Sequence, residues 1–350
     1  MIKFAIIGCG HIAKKHIAAL EKIKDAQLVS VCDKIPANLH PYEEQLGVRG
    51  YTSLDEMFEE EDIDVVNICT PSGTHKNIAI QAASREKHVI VEKPMALHME
   101  DADAIIEACE QHNVKLAVVH PNRFRPVMVE TKRLIEEGRL GKLSHVNATL
   151  RWNRNQAYYD QAAWRGTKEH DGGVLMNQAI HNLDLMLWFT GQVQEVYSME
   201  ATRFRDIEAE DVSTGVIRFE DGTLGVVEAA STIFPANLEE TISIFGENGT
   251  IKVGGKTASY FDHLDIASLG EEEIAQITDR VKADPLGKPG QQGIIEDMVK
   301  SIKKNETPIV DGYEGRKALE LVTSMYQSAE EKRPVQVNKQ EKGQAYVNHI

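Results

Sequence analysis

No stretch of this 350-residue chain approaches the ~20 apolar residues in a row that a bilayer-spanning helix needs. The opening M-I-K-F-A-I-I-G-C-G turns glycine-rich too early for a secretory leader. Cysteine is scarce, and Cys9, Cys32, Cys69 and Cys109 all fall in the first third with no C-x-x-C pair. That spacing fits neither a disulfide framework nor a zinc site; small buried side chains in a reducing cytoplasm are expected instead. Basic residues are also outnumbered, 39 Lys and Arg against 54 Asp and Glu, for a formal charge of −15. Neither nucleic acid nor an anionic membrane is therefore expected as the main partner, although a local arginine pocket can still hold a phosphorylated small molecule. What remains, 42% apolar and 27% charged residues, is the composition of a globular protein, and the length exceeds what one core usually supports.

The first part alternates short apolar runs with helical patterns. Ile2–Ile7, Gln27–Cys32, Asp64–Cys69, His88–Val91 and Lys115–Val119 are expected as strands, and Ile12–Leu20, Leu54–Glu60, His75–Arg85 and Met99–Gln111 as helices. Strands alternating with helices imply a parallel sheet with right-handed crossovers. After Pro126 the pattern changes to a helix, Val127–Glu137, and then strands over 144–154, 195–203, 211–219, 223–230, 240–246 and 249–253. Asp221-Gly222 and Asn248-Gly249 mark hairpin turns between them. Helices are expected over 294–305 and 313–332. The fold class is thus α/β: a dinucleotide-binding domain over 1–122, an α+β domain with a mainly antiparallel sheet over 123–337, and a polar tail over 338–350.

The first strand runs into Gly8-Cys9-Gly10-His11-Ile12-Ala13, a G-x-G-x-x-A at the mouth of a helix. Gly8 permits the tight turn, Gly10 leaves room for a pyrophosphate, and Ala13 lets helix and strand pack closely. The helix N-terminus offers free N–H groups to the phosphates. Asp33 ends the second strand, where its carboxylate can accept both adenosine ribose hydroxyls and repel a 2′-phosphate, so NAD is the expected cofactor. Lys34 beside it is the one feature that softens this preference over NADP. A further strand ends in Cys69-Thr70-Pro71-Ser72-Gly73-Thr74-His75, so Thr70, Pro71, Ser72 and His75 are expected along the cofactor. A plain helix start with Thr74 as N-cap is the alternative.

Glu92-Lys93-Pro94 follows a buried strand and so falls at the sheet's C-terminal edge. A lysine there can hydrogen-bond a substrate hydroxyl and stabilise charge on its oxygen. Whether Pro94 follows a cis bond is left open, since only about 5–6% of X–Pro bonds do. The densest stretch spans Arg151-Trp152-Asn153-Arg154, Tyr158-Tyr159, Trp164-Arg165-Gly166-Thr167, Asp171-Gly172-Gly173 and Asn177-Gln178-x-x-His181-x-x-Asp184. On a regular helix Asn177, His181 and Asp184 share one face, where Asp184 can fix the His181 tautomer. A helix opening after Gly172-Gly173 can approach the cofactor closely. A neutral imidazole, with a pKa near ~6.5, can take a hydroxyl proton and contribute ~10²–10⁴-fold. His181 and Asp184 are too few ligands for a metal. Arg151, Arg154 and Arg165 can pair with a diphosphate or a carboxylate, an ordinary solvated strand face being the alternative for Arg151. On a regular strand Arg154 falls on the face opposite Arg151.

Together these motifs resemble the glucose–fructose oxidoreductase/inositol dehydrogenase (Gfo/Idh/MocA) family over essentially the whole chain, through Asp311-Gly312-x-x-Gly315-Arg316. Within it, R-W-N-R…Y-Y-D…W-R-G-T…D-G-G…N-Q…H looks most like the UDP-N-acetyl-aminosugar and UDP-N-acetyl-glucosaminuronate 3-dehydrogenases. The resemblance implies an NAD(P)-binding Rossmann domain, a large open sheet serving as a dimer or tetramer surface, and hydride transfer from a sugar carbon. It makes Lys93 the group that orients the hydroxyl and His181 the base. His11, Ile12, Glu92, Trp164 and Arg165 would join the cofactor contacts, and Asn122, Arg154, Tyr159, Thr167 and Asn177 the substrate contacts. Inositol dehydrogenases place an aspartate where this chain has Asn177. Lys168-Glu169-His170 also replaces an aromatic common after W-R-G-T, in a loop expected to border the substrate. The expected function is NAD-dependent oxidation of a ring secondary alcohol, C3 of a UDP-aminosugar or its uronate. The alternatives are a dehydrogenase of inositol, a free sugar or a sugar phosphate, an NAD-dependent glycoside hydrolase, and a non-catalytic nucleotide sensor.

Overall fold

Strands buried on both faces must be largely apolar, and the central strands of the first sheet are of this kind. The computed structural model describes residues 1–337; the tail expected over 338–350 lies outside the described residues. In chain order come β1 (Ile2–Ile7), α1 (Ala13–Leu20), β2 (Ala26–Cys32), α2 (His40–Leu46), β3 (Arg49–Tyr51), α3 (Leu54–Glu60), β4 (Val65–Ile68), α4 (His75–Ala83), β5 (His88–Val91), α5 (Met99–Gln111) and β6 (Leu116–Val118). The six strands lie in the order β3-β2-β1-β4-β5-β6, all parallel. The order reverses between β1 and β4, so a crevice opens at their C-terminal ends, where a dinucleotide lies in sheets of this kind. Sequence reasoning missed α2 and β3: one is seven residues long and the other three, too short for a period to show.

The second part continues with α6 (Pro126–Glu136), β7 (Leu143–Arg151), α7 (Gln156–Tyr159), α8 (Ile180–Thr190), β8 (Val193–Ala201), β9 (Val212–Phe219), β10 (Leu224–Ala230), β11 (Glu239–Gly246), β12 (Gly249–Gly254), β13 (Tyr260–Ile266), α9 (Glu271–Ala283), α10 (Gln292–Lys304), α11 (Gly312–Glu331) and β14 (Val335–Gln336). The sheet order is β13-β12-β11-β7-β10-β9-β8-β14. It is a mixed sheet: β7 pairs with β10 in parallel, while the other pairs are antiparallel, as expected for most of it. The two D-G and N-G turns join β9 to β10 and β11 to β12. The strand β13 and helix α9 were not foreseen; β13 carries Asp262, His263 and Asp265 among its apolar positions, and α9 is charged along most of its length.

Helices α8 and α11 cover the inner face of this sheet. At the start of α11 the Asp311 carboxylate accepts the Glu314 N–H, and the next glycines let the helix lie directly on β6. A Cβ at Gly312 would stand 2.6 Å from Leu116, and one at Gly315 2.4 Å from Val118. The last helix thereby ties the two sheets together.

The segment before α8 is not the regular helix that the spacing suggests. Leu175–Ala179 form a π turn, with the Glu210 carboxylate accepting the Leu175 N–H at 2.8 Å. Gly173 makes room for that acid: a Cβ there would stand 1.8 Å from Glu210 Oε2. The glycine pair expected to admit the cofactor thus admits a buried carboxyl. Burial pushes the Glu210 carboxyl up to about 8. Gly173→Ala is expected to cost about 1–3 kcal/mol by overpacking, read as a lower denaturant midpoint with an unchanged slope.

Candidate active site

The cofactor edge follows from the strand ends. Gly8 has φ +93, and a Cβ on it would come within 2.8 Å of both Cys69 C and Thr70 Cγ2, so the turn after β1 requires glycine. Gly10 has nothing within 4 Å of where its Cβ would be, an open position beside the start of α1 that suits a pyrophosphate. Asp33 accepts the Cys9 N–H on Oδ2 and the Ile35 N–H on Oδ1, both at 2.8 Å. Each oxygen keeps a lone pair for a ribose hydroxyl. Thr70, Pro71 and Ser72 lie half-buried at the end of β4. His75 needs a correction: it is fully buried, and its ring nitrogens lie 3.0 Å from the Pro94 carbonyl and 2.9 Å from that of Thr70. It braces two loops and presents no surface to a cofactor.

Beyond β5 the Glu92 carboxylate is buried among hydrogen-bond donors. His16 Nε2 lies 2.9 Å from Oε1, and Gln291 Nε2 donates to the same oxygen at 3.1 Å. Burial alone would raise this carboxyl; the His16 hydrogen bond, the Lys93 charge and the Gln291 bond outweigh it and hold it below the usual carboxylate range. The Lys93–Pro94 bond is cis. The Lys93 ammonium donates to the Asn177 carbonyl at 2.6 Å and lies 3.4 Å from that residue's side-chain oxygen. Burial pulls its pKa down, against the opposing charges of Glu92 and Asp171. Asp171 in turn accepts the Asn177 amide and the Gly166 N–H. It belongs to the D-G-G segment, but its role as the acid behind Lys93 and Asn177 was not foreseen.

His181 and Asn177 both face the cleft, while Asp184 does not join them. The Asp184 carboxylate, three positions further along α8, is instead buried against Arg123, which donates to it at 2.9 and 2.6 Å. His181 Nδ1 is sealed in without a partner, which leaves Nε2 to the cleft. Burial and the neighbouring Lys93, His120, Arg125 and Lys15 hold the His181 pKa well below 6.5.

The cleft is a cavity of about 720 Å³, within the size range of small-molecule sites. Of the residues singled out in the sequence, His11, Ile12, Glu92, Lys93, Asn122, Arg154, Arg165, Asn177 and His181 line it. Tyr159 and Thr167 do not. Tyr159 is buried with its hydroxyl 3.2 Å from Ser231, and the Thr167 hydroxyl is turned back to the Trp164 carbonyl at 2.7 Å. Tyr158 takes the place in the wall that Tyr159 was expected to hold, because the short α7 turns it outward. Arg151 is committed elsewhere, paired with Glu228 and Glu239 across β7, β10 and β11. Arg154 and Arg165 have no carboxylate partner among the described residues. Arg165 lies 4.4 Å from the Tyr158 ring centroid and 4.8 Å from that of Trp164, and Arg154 lies 4.7 Å from that of Trp152. The Lys168–His170 loop folds over Gly73 at the cofactor edge instead of bordering the cavity; a Cβ on Gly73 would stand 2.8 Å from the Glu169 carbonyl.

Sequence reasoning also missed Glu240, buried in the wall with its carboxyl pushed up to about 7 by burial. The signal was present: in β11 the even positions Ile242 and Ile244 point inward, so Glu240 must as well.

Comparison with known proteins agrees with this geometry. Residues 2–120 match a family model described as an oxidoreductase family with an NAD-binding Rossmann fold, and residues 128–252 match the GFO/IDH/MocA C-terminal domain. The WlbA dehydrogenase of Bordetella pertussis, solved in complex with NADH and UDP-GlcNAcA, is 36% identical over 96% of this chain and 97% of its own, with a TM-score of 0.91. Its counterpart from Chromobacterium violaceum, in complex with the same two molecules, is 38% identical over 97% and 96%, also at 0.91. Myo-inositol 2-dehydrogenase of Thermotoga maritima is 29% identical over 96% of this chain and 98% of its own length. The chain belongs to the Gfo/Idh/MocA oxidoreductase family, and its N-terminal sheet carries an NAD-binding Rossmann fold.

Two outcomes are expected from this geometry. Asp33→Ala removes the ribose acceptor and should weaken NAD more than NADP, measured as the two dissociation constants by fluorescence titration. The His181 pKa lies well below 6.5, so with this imidazole as the expected base the acid limb of kcat/KM should fall below 6.5. An acid limb at or above that value would show that another group controls the profile.

Proposed function

We propose that this enzyme oxidises a ring secondary hydroxyl, C3 of a UDP-N-acetyl-aminosugar or its uronate, in the cytoplasm as a homo-oligomer, with its two domains dividing near residue 122. The observation that carries the substrate class is the pair of arginines without a carboxylate partner among the described residues, Arg154 and Arg165, on the wall of the cavity that holds Lys93 and His181. An inositol or a free sugar presents no anion for them; a diphosphate or a uronate does. The UDP-GlcNAcA held by the two WlbA relatives supports the same reading. Self-association is supported by the open face of the second sheet, where Val216 and Val226 are directly paired and stand 53% and 45% exposed.

Bound NAD supplies the hydride acceptor. His181 takes the hydroxyl proton on Nε2, the nitrogen that faces the cleft. The Lys93 ammonium, anchored on the Asn177 carbonyl, keeps an N–H for the substrate oxygen and stabilises the charge that develops there. Asp171 holds the Asn177 amide and offsets the positive charge of Lys93. Asn122, in the cavity wall, meets the sugar.

The test is NADH formation with UDP-GlcNAc, UDP-GlcNAcA, myo-inositol, glucose and glucose 6-phosphate. Turnover is expected with a UDP-sugar, and Lys93→Ala or His181→Ala should lower kcat by about 10²–10⁴ while NAD still binds. Arg154→Ala and Arg165→Ala should each raise the UDP-sugar KM by about tenfold to a hundredfold, the loss of one charge-assisted contact. Turnover confined to inositol or a free sugar would overturn the substrate assignment.

A further inference from the structure

His120 follows β6 at the base of the cleft and is 1% exposed, yet neither of its ring nitrogens has a partner. A buried polar atom left unpaired is costly, so a ring with two such nitrogens calls for an explanation. Its ring stands edge-to-face against His181, with centroids 5.9 Å apart and planes at 83°. The nitrogen that His181 turns away from the cleft, Nδ1, is likewise sealed and unpaired. On the other side, His120 Nδ1 lies 3.8 Å from Asp184 Oδ2. A row thus runs inward from the cleft: His181, His120, Asp184, with Arg123 holding Asp184 and reaching Glu314 at 2.8 Å.

The charges around His181 make this row matter. Lys93, Arg125 and Lys15 face it, and the residue four positions before it is the neutral Asn177. Around His120 stand Asp184, Arg123, Lys93 and Glu92. An imidazolium formed on His181 meets cations on the cleft side, and the carboxylate behind it, Asp184, is reached through His120.

We propose that His120 is a positioning residue for His181, accepting a hydrogen bond from His181 Nδ1–H on its own Nε2 while its Nδ1–H turns to Asp184. This rests on the reading of His181 as the base. The imidazole χ2 torsion is soft, so each ring can turn about it with the backbones unmoved. The arrangement fixes the proton of neutral His181 on Nδ1 and keeps the Nε2 lone pair on the substrate hydroxyl. In the forward reaction the O–H bond breaks and its proton goes to His181 Nε2, while the C–H electron pair leaves as hydride to the bound dinucleotide. The Nδ1 proton of His181 passes to His120, so the positive charge rests beside Asp184. After the product leaves, the reverse transfers return one proton to water through the cleft.

The test needs a readout that does not depend on the sugar. In NAD-loaded protein carrying ¹⁵N-labelled histidine, the ring nitrogen shifts report which nitrogen of His181 is protonated, and His181→Asn assigns the signal. Wild type is expected to carry the proton on Nδ1, and His120→Phe to move it to Nε2. The same variant should lose about tenfold or more in kcat/KM, part of the ~10²–10⁴ that the base contributes, with NAD affinity unchanged. His120→Gln keeps an acceptor oxygen and should restore most of both. Wild-type His181 protonated on Nε2, or a His120→Phe protein with unchanged tautomer and rate, would overturn the proposal. A tautomer that reverses in a protein silent on every sugar would instead remove the substrate reading and leave the histidine pair standing.

Discussion

An ionised carboxylate buried at the meeting of two domains has to be matched on every side, and Glu92 sets that condition here. A buried charge that loses its partners costs several kcal/mol, so the groups around it are fixed by necessity. His16 comes from α1, Gln291 from the segment before α10, and Lys93 from the next position along the chain. Asn67 donates to His16 Nδ1 at 2.9 Å, which puts the His16 proton on Nε2, where it faces Glu92. The backbone after β5 is therefore held from both domains. That hold lets a single lysine reach across to the Asn177 carbonyl at 2.6 Å.

The π turn before α8 is the counterpart on the other side of the cleft. Asn177 within it and His181 just after it both line the cavity, while Asp184 is held by Arg123. Glu210 caps the turn from β9's side and needs the glycine at 173 to approach so closely. The site thus depends on two buried carboxyls in opposite states. Glu92 is held ionised by donors and charge, while Glu210 is pushed up to about 8 and is largely neutral at pH 7.

Much of this was legible in the sequence, for reasons that also explain the remainder. Doubly buried strands give continuous apolar runs, and a glycine loop with an acid at the end of the second strand has a local physical meaning. The strands β1, β2, β4, β5 and β6, their parallel arrangement and the position of Lys93 at a strand's C-terminal end followed from those signals; their order in the sheet did not. The failures came where a contact distant in sequence decides. Asp184 looked like a partner for His181 because helical spacing says so, but Arg123, 61 positions away, holds it. Arg151 and Arg154 look equivalent as letters, and only the sheet register sets Glu228 and Glu239 beside one of them. Tyr158 and Tyr159 exchange roles for a similar reason: a four-residue helix fixes which ring turns inward.

Those arginines also resolve an apparent conflict between a chain of net charge −15 and a substrate expected to be anionic. Surface acids at a distance are screened within about a Debye length, whereas groups lining the cavity act at contact range in a lower dielectric. Lys15, Lys93, Arg125, Arg154, Arg165 and Lys288 line that cavity. Of the acids in the same wall, Glu92 is matched by its own donors, and Glu240, at about 7, is protonated in good part near neutrality. Arg154 and Arg165 are held in place by aromatic faces instead of carboxylates. Stacking of this kind orders a guanidinium without neutralising it, and so leaves its charge available to a ligand. Arg123 and Arg151 are as cationic as these two but are already matched by acids of the protein. The local balance of charge, set by which arginines are paired, decides what the cleft can hold; the sum over the chain does not.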